Sequence, residues 1–196
     1  MLFRSRRDGF DQWIHQVNRI CGAFNAQTLG DAFSGHIREY QSGALKLSFV
    51  DACQARLYRT PKEVAASEGG KYFAVFQLDG SACMAQGDNR VSLCAGDITL
   101  IDASQPSDFT YHENSRQLSL ILPHRLIEQS LRYTPVKCGH RIGAKSPIAT
   151  LSHHLILDAA AKLEGKVFHA GTALNAAGEV VTSGGRVLCA TATGAR

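Results

Sequence analysis

The chain has 196 residues, 44% of them apolar and 19% charged, which is typical of a globular protein with one domain and a tail. Nothing in it approaches the ~18 consecutive apolar residues of a membrane helix, and the arginine-containing leader of residues 1–9 lacks the apolar run of a secretory signal, so we expect a cytoplasmic protein. The net charge of +4 arises at the two ends, because residues 8–164 carry 15 basic and 16 acidic side chains, and this near-neutral body excludes a broad phosphate-binding surface.

The first predicted element is an amphipathic helix that begins near Phe10. Its apolar residues recur at steps of three and four as far as Phe24, and Gly22 lies near its end. An apolar stripe of this kind indicates a helix face that packs on a protein core, so we expect the helix to cover one open side of the domain. Binding of a partner chain by the same face is the alternative.

Short apolar segments separated by turn residues predict an antiparallel β barrel or sandwich across the middle of the chain. The segment 72–78 is apolar on both alternating faces, which predicts a central strand buried on both sides. Asp79-Gly80 after it has the residues of a tight hairpin turn, whereas the polar stretch 62–70 is typical of a loop. Further strands are predicted at 45–49, 56–59, 91–93, 97–101, 109–111 and 117–122.

Two helices are predicted after the strands. Pro123 stops the last strand, and residues 124–131 favour a short helix. Ser146-Pro147 combines a capping serine with a proline suited to the first helical turn, so a longer helix is predicted to begin there. Its apolar stripe predicts a dimer interface, with packing on the same domain as the alternative; the interface residues are Leu151, Leu155, Ile156 and Leu163.

The last part of the chain differs in composition from the rest. Residues 164–196 are rich in glycine and alanine, keep neither helical nor strand periodicity and contain one aromatic residue, Phe168. A segment of this kind buries too little apolar surface to offset the entropy lost on ordering it. It is therefore predicted to be disordered or poorly packed.

No catalytic or metal-binding motif stands out. The six cysteines contain no C-x-x-C pair, which favours reduced core residues over disulfides or zinc ligands. There is no G-x-S-x-G segment and no phosphate-binding glycine loop followed by lysine. His153 and His154 diverge by about 100° on a helix, so no enzyme activity, cofactor or metal is expected. The alternative is a small cupin-type metal-dependent enzyme, with His36, His112 and His124 as candidate ligands.

The predicted barrel offers aromatic and polar side chains suited to an apolar ligand cavity. Because side chains alternate along a strand, either Phe73 or Phe76 faces inward, and not both. A solid core made of the same aromatic residues is the alternative, since core packing is their commonest role. The predicted ligand-binding residues are Tyr58, Tyr72, Phe76, Gln77, Thr99 and Ser119.

Three segments carry a resemblance to a known family. They are FQLDG at 76–80, GDITLIDASQP at 96–106 and QLSLILP at 117–123, and they resemble the N-terminal sensor domain of AraC/XylS-family transcription regulators. Within that family the chain is similar to activators that respond to an aromatic amine or to the aldehyde derived from it. The similarity extends over about residues 8–163.

The resemblance implies a mostly β fold, a cupin-like (jelly-roll) antiparallel barrel with flanking helices, that binds a small aromatic effector. It places the first helix and the effector-binding barrel at 10–135, and a linker with a helical dimerisation segment at 136–163. Family members continue into a long helix and a pair of helix-turn-helix motifs that bind DNA, whereas the tail at 164–196 matches neither part. We therefore expect a chain truncated before its DNA-binding domain. This chain would form a homodimer or pair with an intact homologue.

Overall fold

The computed structural model describes residues 6–42, 45–67, 69–132, 135–170, 173–174, 180–182 and 185–186, with side chains described over 9–41, 46–67, 69–132 and 135–162. The chain divides into two units, Met1–His154 and Leu155–Arg196. The helices are α1 (Arg6–Cys21), α2 (Pro61–Ala65), α3 (His124–Ser130) and α4 (Pro147–Ala170). The strands are β1 (Asn25–Thr28), β2 (Ser34–Ser42), β3 (Leu45–Cys53), β4 (Ala55–Arg59), β5 (Lys71–Gln86), β6 (Asn89–Cys94), β7 (Ile98–Asp102), β8 (Ser107–Tyr111), β9 (Ser115–Pro123), β10 (Arg141–Ile142), β11 (Ala173–Leu174), β12 (Val180–Thr182) and β13 (Gly185–Arg186).

Strands β1 to β10 form one curled antiparallel sheet with β5 at its centre. The main path across it is β1-β4-β8-β5-β9-β3-β2, while β6 and β7 also pair with β5, and β10 pairs with β7. The long β5 reaches so many neighbours because its first half pairs with β7 and β9 and its second half with β6 and β8. The predicted mostly β, cupin-like antiparallel fold with flanking helices is confirmed.

The central strand β5 is continuous where a hairpin was expected. The predicted buried strand at 72–78 is present, but the chain does not reverse at Asp79-Gly80. Instead the register with β9 shifts between Gln77 and Asp79, which marks a β-bulge. Gly80 has a φ of +65°, and a Cβ there would lie 1.9 Å from the carbonyl oxygen of Asn114. The hairpin prediction is therefore wrong, because the glycine serves a bulge and a close backbone approach.

Helix α1 covers the inner face of the sheet. Trp13, Val17 and Ile20 are buried in one cluster with inward-facing residues of the strands. The helix ends where Gly22 adopts a φ of +94°, a left-handed conformation that favours glycine. The N–H of Gly22 donates to the C=O of Asn18 at 3.1 Å. The prediction that this helix covers one open side of the domain is confirmed.

The segment predicted as a loop at 62–70 is partly helical. Thr60 caps α2, since its hydroxyl accepts from the N–H of Lys62 at 3.2 Å and its own N–H donates to the Glu63 carboxylate at 2.9 Å. Pro61 occupies the first helical turn. The loop prediction is wrong for this helix, because Thr60-Pro61 ends one strand and starts a helix at the same time.

The two predicted C-terminal helices are present. Helix α3 begins directly after Pro123, and α4 begins at Pro147, where the N–H of Thr150 donates to the C=O of Ser146 at 3.1 Å. Helix α4 continues to Ala170, and the second unit also contains a three-stranded antiparallel sheet made of β11, β12 and β13. The rest of the predicted tail lies outside the described residues. Within the described residues, every helix is too short or too polar to cross a bilayer.

Candidate ligand-binding site

A small cavity lies between α1 and the inner face of the sheet. Its volume is about 30 Å³, which is room for one or two water molecules and far below the ~300 Å³ at which ligand pockets begin. Side chains therefore fill the interior almost completely in this conformation. The cavity is walled mainly by apolar and aromatic groups, among them Val17, Cys21, Phe24, Phe73 and Phe109, and Gln117 and Ser119 add polar groups to the wall.

A chain of buried hydrogen bonds runs beside this cavity. The Tyr111 hydroxyl donates to Oε1 of Gln117 at 3.0 Å, and Nε2 of Gln117 donates to Oε1 of Gln77 at 2.8 Å. Nε2 of Gln77 then donates to Oγ of Ser115 at 2.8 Å and to the C=O of Asp79 at 2.7 Å. Because these groups are shielded from water, the bonds hold side chains from β5, β8 and β9 in one arrangement.

Burial keeps two titratable groups at the cavity uncharged. It raises the pKa of the Tyr111 hydroxyl well above its usual range, so this group remains a hydrogen-bond donor. It raises the pKa of the Cys21 thiol to about 11, although the nearby hydroxyl of Ser48 acts in the opposite direction. The Cys21 sulfur lies 3.9 Å from Oγ of Ser48. At neutral pH the cavity wall therefore carries a thiol and no thiolate.

Of the predicted ligand residues, Ser119 lines the cavity and Gln77 belongs to the hydrogen-bond chain. The inward-facing aromatic residue of β5 is Phe73, which lines the cavity. Phe76 lies on the opposite face of the sheet, where its ring meets that of His153 edge-on with centroids 5.2 Å apart. Alternation along the strand thus selects Phe73 as the aromatic wall.

The other three predicted ligand residues have contacts away from the cavity. The Tyr72 ring stacks on His124 with centroids 4.1 Å apart. Tyr58 lies beneath the Arg56 guanidinium at 4.8 Å and lines an open surface groove of about 340 Å³. The Thr99 hydroxyl donates to the C=O of His140 at 2.8 Å. The prediction that these residues bind a ligand stays a prediction.

Two basic side chains near the cavity make no ion pair within the described part of the chain; we call Arg59 and Lys71 the cationic pair. Arg59 is 2% exposed, lies over the Phe24 ring at 5.0 Å and donates to Oγ of Ser67 at 2.8 Å. Its Nε and Nη1 atoms have no hydrogen-bond partner. The Lys71 ammonium lies 5.9 Å from the centre of the Phe73 ring. Desolvation lowers the pKa of both groups.

The cationic pair is not predicted by the sequence patterns above, although one signal for it exists. Ala55, Leu57 and Arg59 share one face of β4, and all three are buried. An arginine in the register of an apolar face is unusual, because a buried charge is costly unless it is paired. The alternation therefore marks Arg59, whereas nothing in the sequence shows that the strands bring Lys71 to it.

The three histidines of the alternative metal site lie apart. Nδ1 of His36 is 3.9 Å from the Asp51 carboxylate, and Nε2 of His124 is 3.0 Å from Oδ1 of Asp102. His112 accepts a hydrogen bond through its backbone C=O. Across the described residues, no group of three or more histidine, cysteine, aspartate or glutamate side chains is close enough to hold a metal ion.

The predicted dimer residues differ in exposure. Leu151 and Leu155 are 56% and 64% exposed, and Ile148 on the same helix is 56% exposed. Ile156 is buried, and the Leu163 side chain lies outside the described residues. The exposed members follow one another at steps of three and four along α4, which places them on one stripe of the helix.

A family profile described as an AraC-binding-like domain matches residues 13–184. Among solved structures, the AraC-like transcriptional activator CuxR aligns at a TM-score of 0.68 and 12% identity over 81% of this chain and 58% of that chain. At such low identity the likeness shows the fold alone. A cupin superfamily protein from Desulfitobacterium hafniense aligns at a TM-score of 0.33 and 14% identity, over 51% of this chain and 77% of that chain.

Short segments of the chain also match an enzyme. A stretch of 38 residues is 79% identical to phosphoribosylamine–glycine ligase of Pseudomonas putida, and 35 residues are 80% identical to the ligase of Pseudomonas aeruginosa. These stretches are 19% and 18% of this chain. The chain spans 9% and 8% of the length of the two ligases. Matches of this extent show no membership of the ligase family.

Proposed function

Because the chain belongs to the AraC-binding-like domain family, we propose that it senses a small aromatic effector for a cytoplasmic AraC-type transcription activator. Its role is regulatory rather than catalytic. The observation that carries the proposal is the cavity itself, because it adjoins both aromatic rings and a buried hydrogen-bond chain. Sites for small molecules combine apolar walls with a few fixed polar groups in this way.

The effector class expected from the resemblance is an aromatic amine or the aldehyde derived from it. Its ring would pack against Phe24, Phe73 and Phe109, and Ser119 would contact it directly. Gln77 would act through Gln117, to which it is hydrogen-bonded. Since the cavity holds about 30 Å³, binding must displace part of its wall. A ligand that binds the opened form better shifts the equilibrium toward that form, which is how a sensor reports occupancy.

The second proposed role is dimerisation through α4. Leu151 and Leu155 expose apolar side chains on a single stripe, and contiguous exposed apolar surface commonly marks a protein interface. Leu163 remains part of the interface predicted from the sequence, whereas Ile156 is already buried within the chain and is left out of the proposed surface. The proposed partner is a second copy of this chain or a homologue, and members of the family contact DNA through helix-turn-helix motifs.

Thermal unfolding with 2-phenylethylamine, phenylacetaldehyde and 2-phenylethanol tests the sensor role. A compound at about a hundred times its Kd stabilises the protein by about 2.7 kcal/mol. Ser119→Val fills the cavity and should abolish the gain, while Ser92→Val, the same change at an exposed strand position, should keep it. No stabilisation by any of the three compounds contradicts an amine or aldehyde as the effector, and stoichiometric copurifying iron, manganese or zinc favours the metalloenzyme.

A further inference from the structure

We propose that the cationic pair, Arg59 and Lys71, binds a carboxylate group, so that the effector is an apolar acid whose ring enters the cavity between α1 and the sheet. This inference rests on the proposed sensor function and assigns an aromatic acid to the site in place of the amine or aldehyde expected from the resemblance. The two cations lie beside the cavity, because Phe24 and Phe73, the rings next to them, also line it. Arg59 and Ser107 also line the open groove beside Tyr58, from which a carboxylate can reach them.

The first argument is unmet hydrogen-bonding capacity. Arg59 uses Nη2 to bind Ser67, but its Nε and Nη1 atoms are buried without a partner. Ser107, its register partner on β8, also has a buried hydroxyl without a partner. Most buried polar atoms in proteins are hydrogen-bonded, so orphan groups on one cross-strand pair point to an absent ligand. A planar carboxylate suits the fork of a guanidinium.

The second argument is that the two cations converge. A Cβ atom on Gly22 would lie 3.1 Å from Nζ of Lys71 and 3.5 Å from Oγ of Ser67. That same Oγ accepts the 2.8 Å hydrogen bond from Arg59. Nζ of Lys71 and Oγ of Ser67, the partner of Arg59, therefore lie within 4 Å of the same point beside Gly22, and burial together with the charge of Arg59 lowers the pKa of Lys71. Two like charges held together in a partly desolvated place favour an anion between them.

The third argument is that no carboxylate among the described residues forms an ion pair with either cation, although the more distant Glu63 and Asp102 favour the charged form of Arg59. Glu63 binds the backbone N–H of Thr60 at 2.9 Å, and Asp102 lies 3.0 Å from His124. Cys21 remains a neutral thiol at physiological pH, because burial raises its pKa to about 11. The nearby C-terminal end of α1 contributes about half a negative elementary charge. The two positive charges are therefore only partly compensated, because desolvation outweighs these distant carboxylates at Arg59.

The combination of rings and cations selects among aromatic ligands. The cavity walls are mainly apolar, so they favour a hydrocarbon ring, whereas the cationic pair favours a negative head group and repels an ammonium. Phenylacetate, 2-phenylethanol and 2-phenylethylamine share a ring and chain but carry a negative, neutral and positive head group. They therefore separate the effect of charge from that of shape.

Isothermal titration calorimetry of the full chain with these three probes tests the inference. We expect phenylacetate to bind at least tenfold more tightly than 2-phenylethanol, and 2-phenylethylamine to bind most weakly. Lys71→Gln should weaken phenylacetate binding about tenfold, the loss of one charge-assisted hydrogen bond, and change 2-phenylethanol binding less than twofold. Lys145→Gln removes an exposed lysine as the matched control and should change neither.

Several outcomes overturn the inference. If 2-phenylethanol or the amine binds as tightly as phenylacetate, the sensor function stands and the carboxylate site is lost. If none of the three binds, both are lost.

The competing explanation is an ion pair between the two cations and Glu68, which follows Ser67 in the sequence and lies outside the described residues. Should Glu68→Gln lower the melting temperature while phenylacetate gives no heat, the cations serve an internal ion pair. Arg59→Lys keeps the positive charge but loses the planar guanidinium that can donate two hydrogen bonds to a carboxylate. It should weaken phenylacetate binding as Lys71→Gln does, and unchanged binding also counts against the site.

Discussion

Gln77 and Gln117 face each other directly on β5 and β9, and their side-chain amides are joined by a 2.8 Å hydrogen bond from Nε2 of Gln117 to Oε1 of Gln77. Both residues are buried, at 0% and 2% exposure. The register of the two strands shifts immediately after this pair. The bulge and the polar chain therefore meet at the same place in the barrel, next to the cavity that the proposed function uses.

The first prediction concerns this pair. Gln117→Leu should cost about 2–3 kcal/mol, because it leaves the Tyr111 hydroxyl and Oε1 of Gln77 buried without partners. Tyr111→Phe should cost about 1 kcal/mol. The double variant should lose less than the sum, since the second change removes a group that the first has orphaned. Urea unfolding measures all three, with the exposed Gln129→Leu as a control expected within about 0.5 kcal/mol of wild type. If the losses of unfolding free energy in the two single variants simply add up in the double variant, the three side chains do not form one hydrogen-bond chain.

The second prediction compares two glycines with similar backbone angles. Gly80 and Gly87 have φ values of +65° and +57°. A Cβ on Gly80 would lie 1.9 Å from the carbonyl oxygen of Asn114, whereas a Cβ on Gly87 meets nothing within 4 Å. Gly87→Ala should therefore cost only about 1 kcal/mol of backbone strain, and Gly80→Ala about 3 kcal/mol or more, because backbone has to move. Equal losses in chemical denaturation would mean that the close approach at the bulge is wrong.

The third prediction is a loss of stability at alkaline pH that depends on Cys21. The thiol has a pKa of 9.0 when unperturbed and about 11 in the fold, because it is buried. Folding thus favours the protonated form, so the contribution is fully present below pH 9 and is lost as the pH rises through 11. The total is about 2.7 kcal/mol, from about 1.36 kcal/mol for each pH unit.

Cys21→Ala should remove this part of the pH dependence of the unfolding free energy, measured between pH 8 and 11. The exposed Cys94→Ala is the matched control and should keep the slope of the wild type. Tyr111 acts in the same direction at still higher pH, since burial also raises its pKa. A Cys21→Ala protein whose stability falls as steeply as the wild type would show that the thiol is accessible to water.

The fourth prediction concerns α4. Replacing Leu151 and Leu155 together by glutamate should convert a dimer into a monomer, because charges on both exposed apolar positions have to be desolvated at an interface. Light scattering coupled to gel filtration measures the mass. Thr150→Glu introduces an exposed charge away from the stripe and should leave the dimer intact. A wild-type chain that remains monomeric at all concentrations removes the proposed dimer.

The local spacing of apolar and capping residues determined where the main helices form and that the protein is mostly β. The spacing of Trp13, Val17 and Ile20 predicts a helix with one apolar face. Ser146-Pro147 predicts the start of a helix, because serine suits the capping position and proline the first helical turn. The burial of 72–78 on both faces follows from its continuous apolar content. These features depend on residues a few positions apart, so they are readable without knowing what the chain packs against.

Tertiary pairing decided the rest. Asp79-Gly80 suits a hairpin or a bulge equally well, and only the pairing of β5 with β9 and the approach of Asn114 selects the bulge. Likewise, the register of the sheet, fixed by strands far apart in sequence, turned Phe73 rather than Phe76 toward the cavity. The partnering of a buried cation such as Arg59 is a property of three-dimensional neighbours, because a charge is satisfied or orphaned only by what the fold brings within a few ångströms of it.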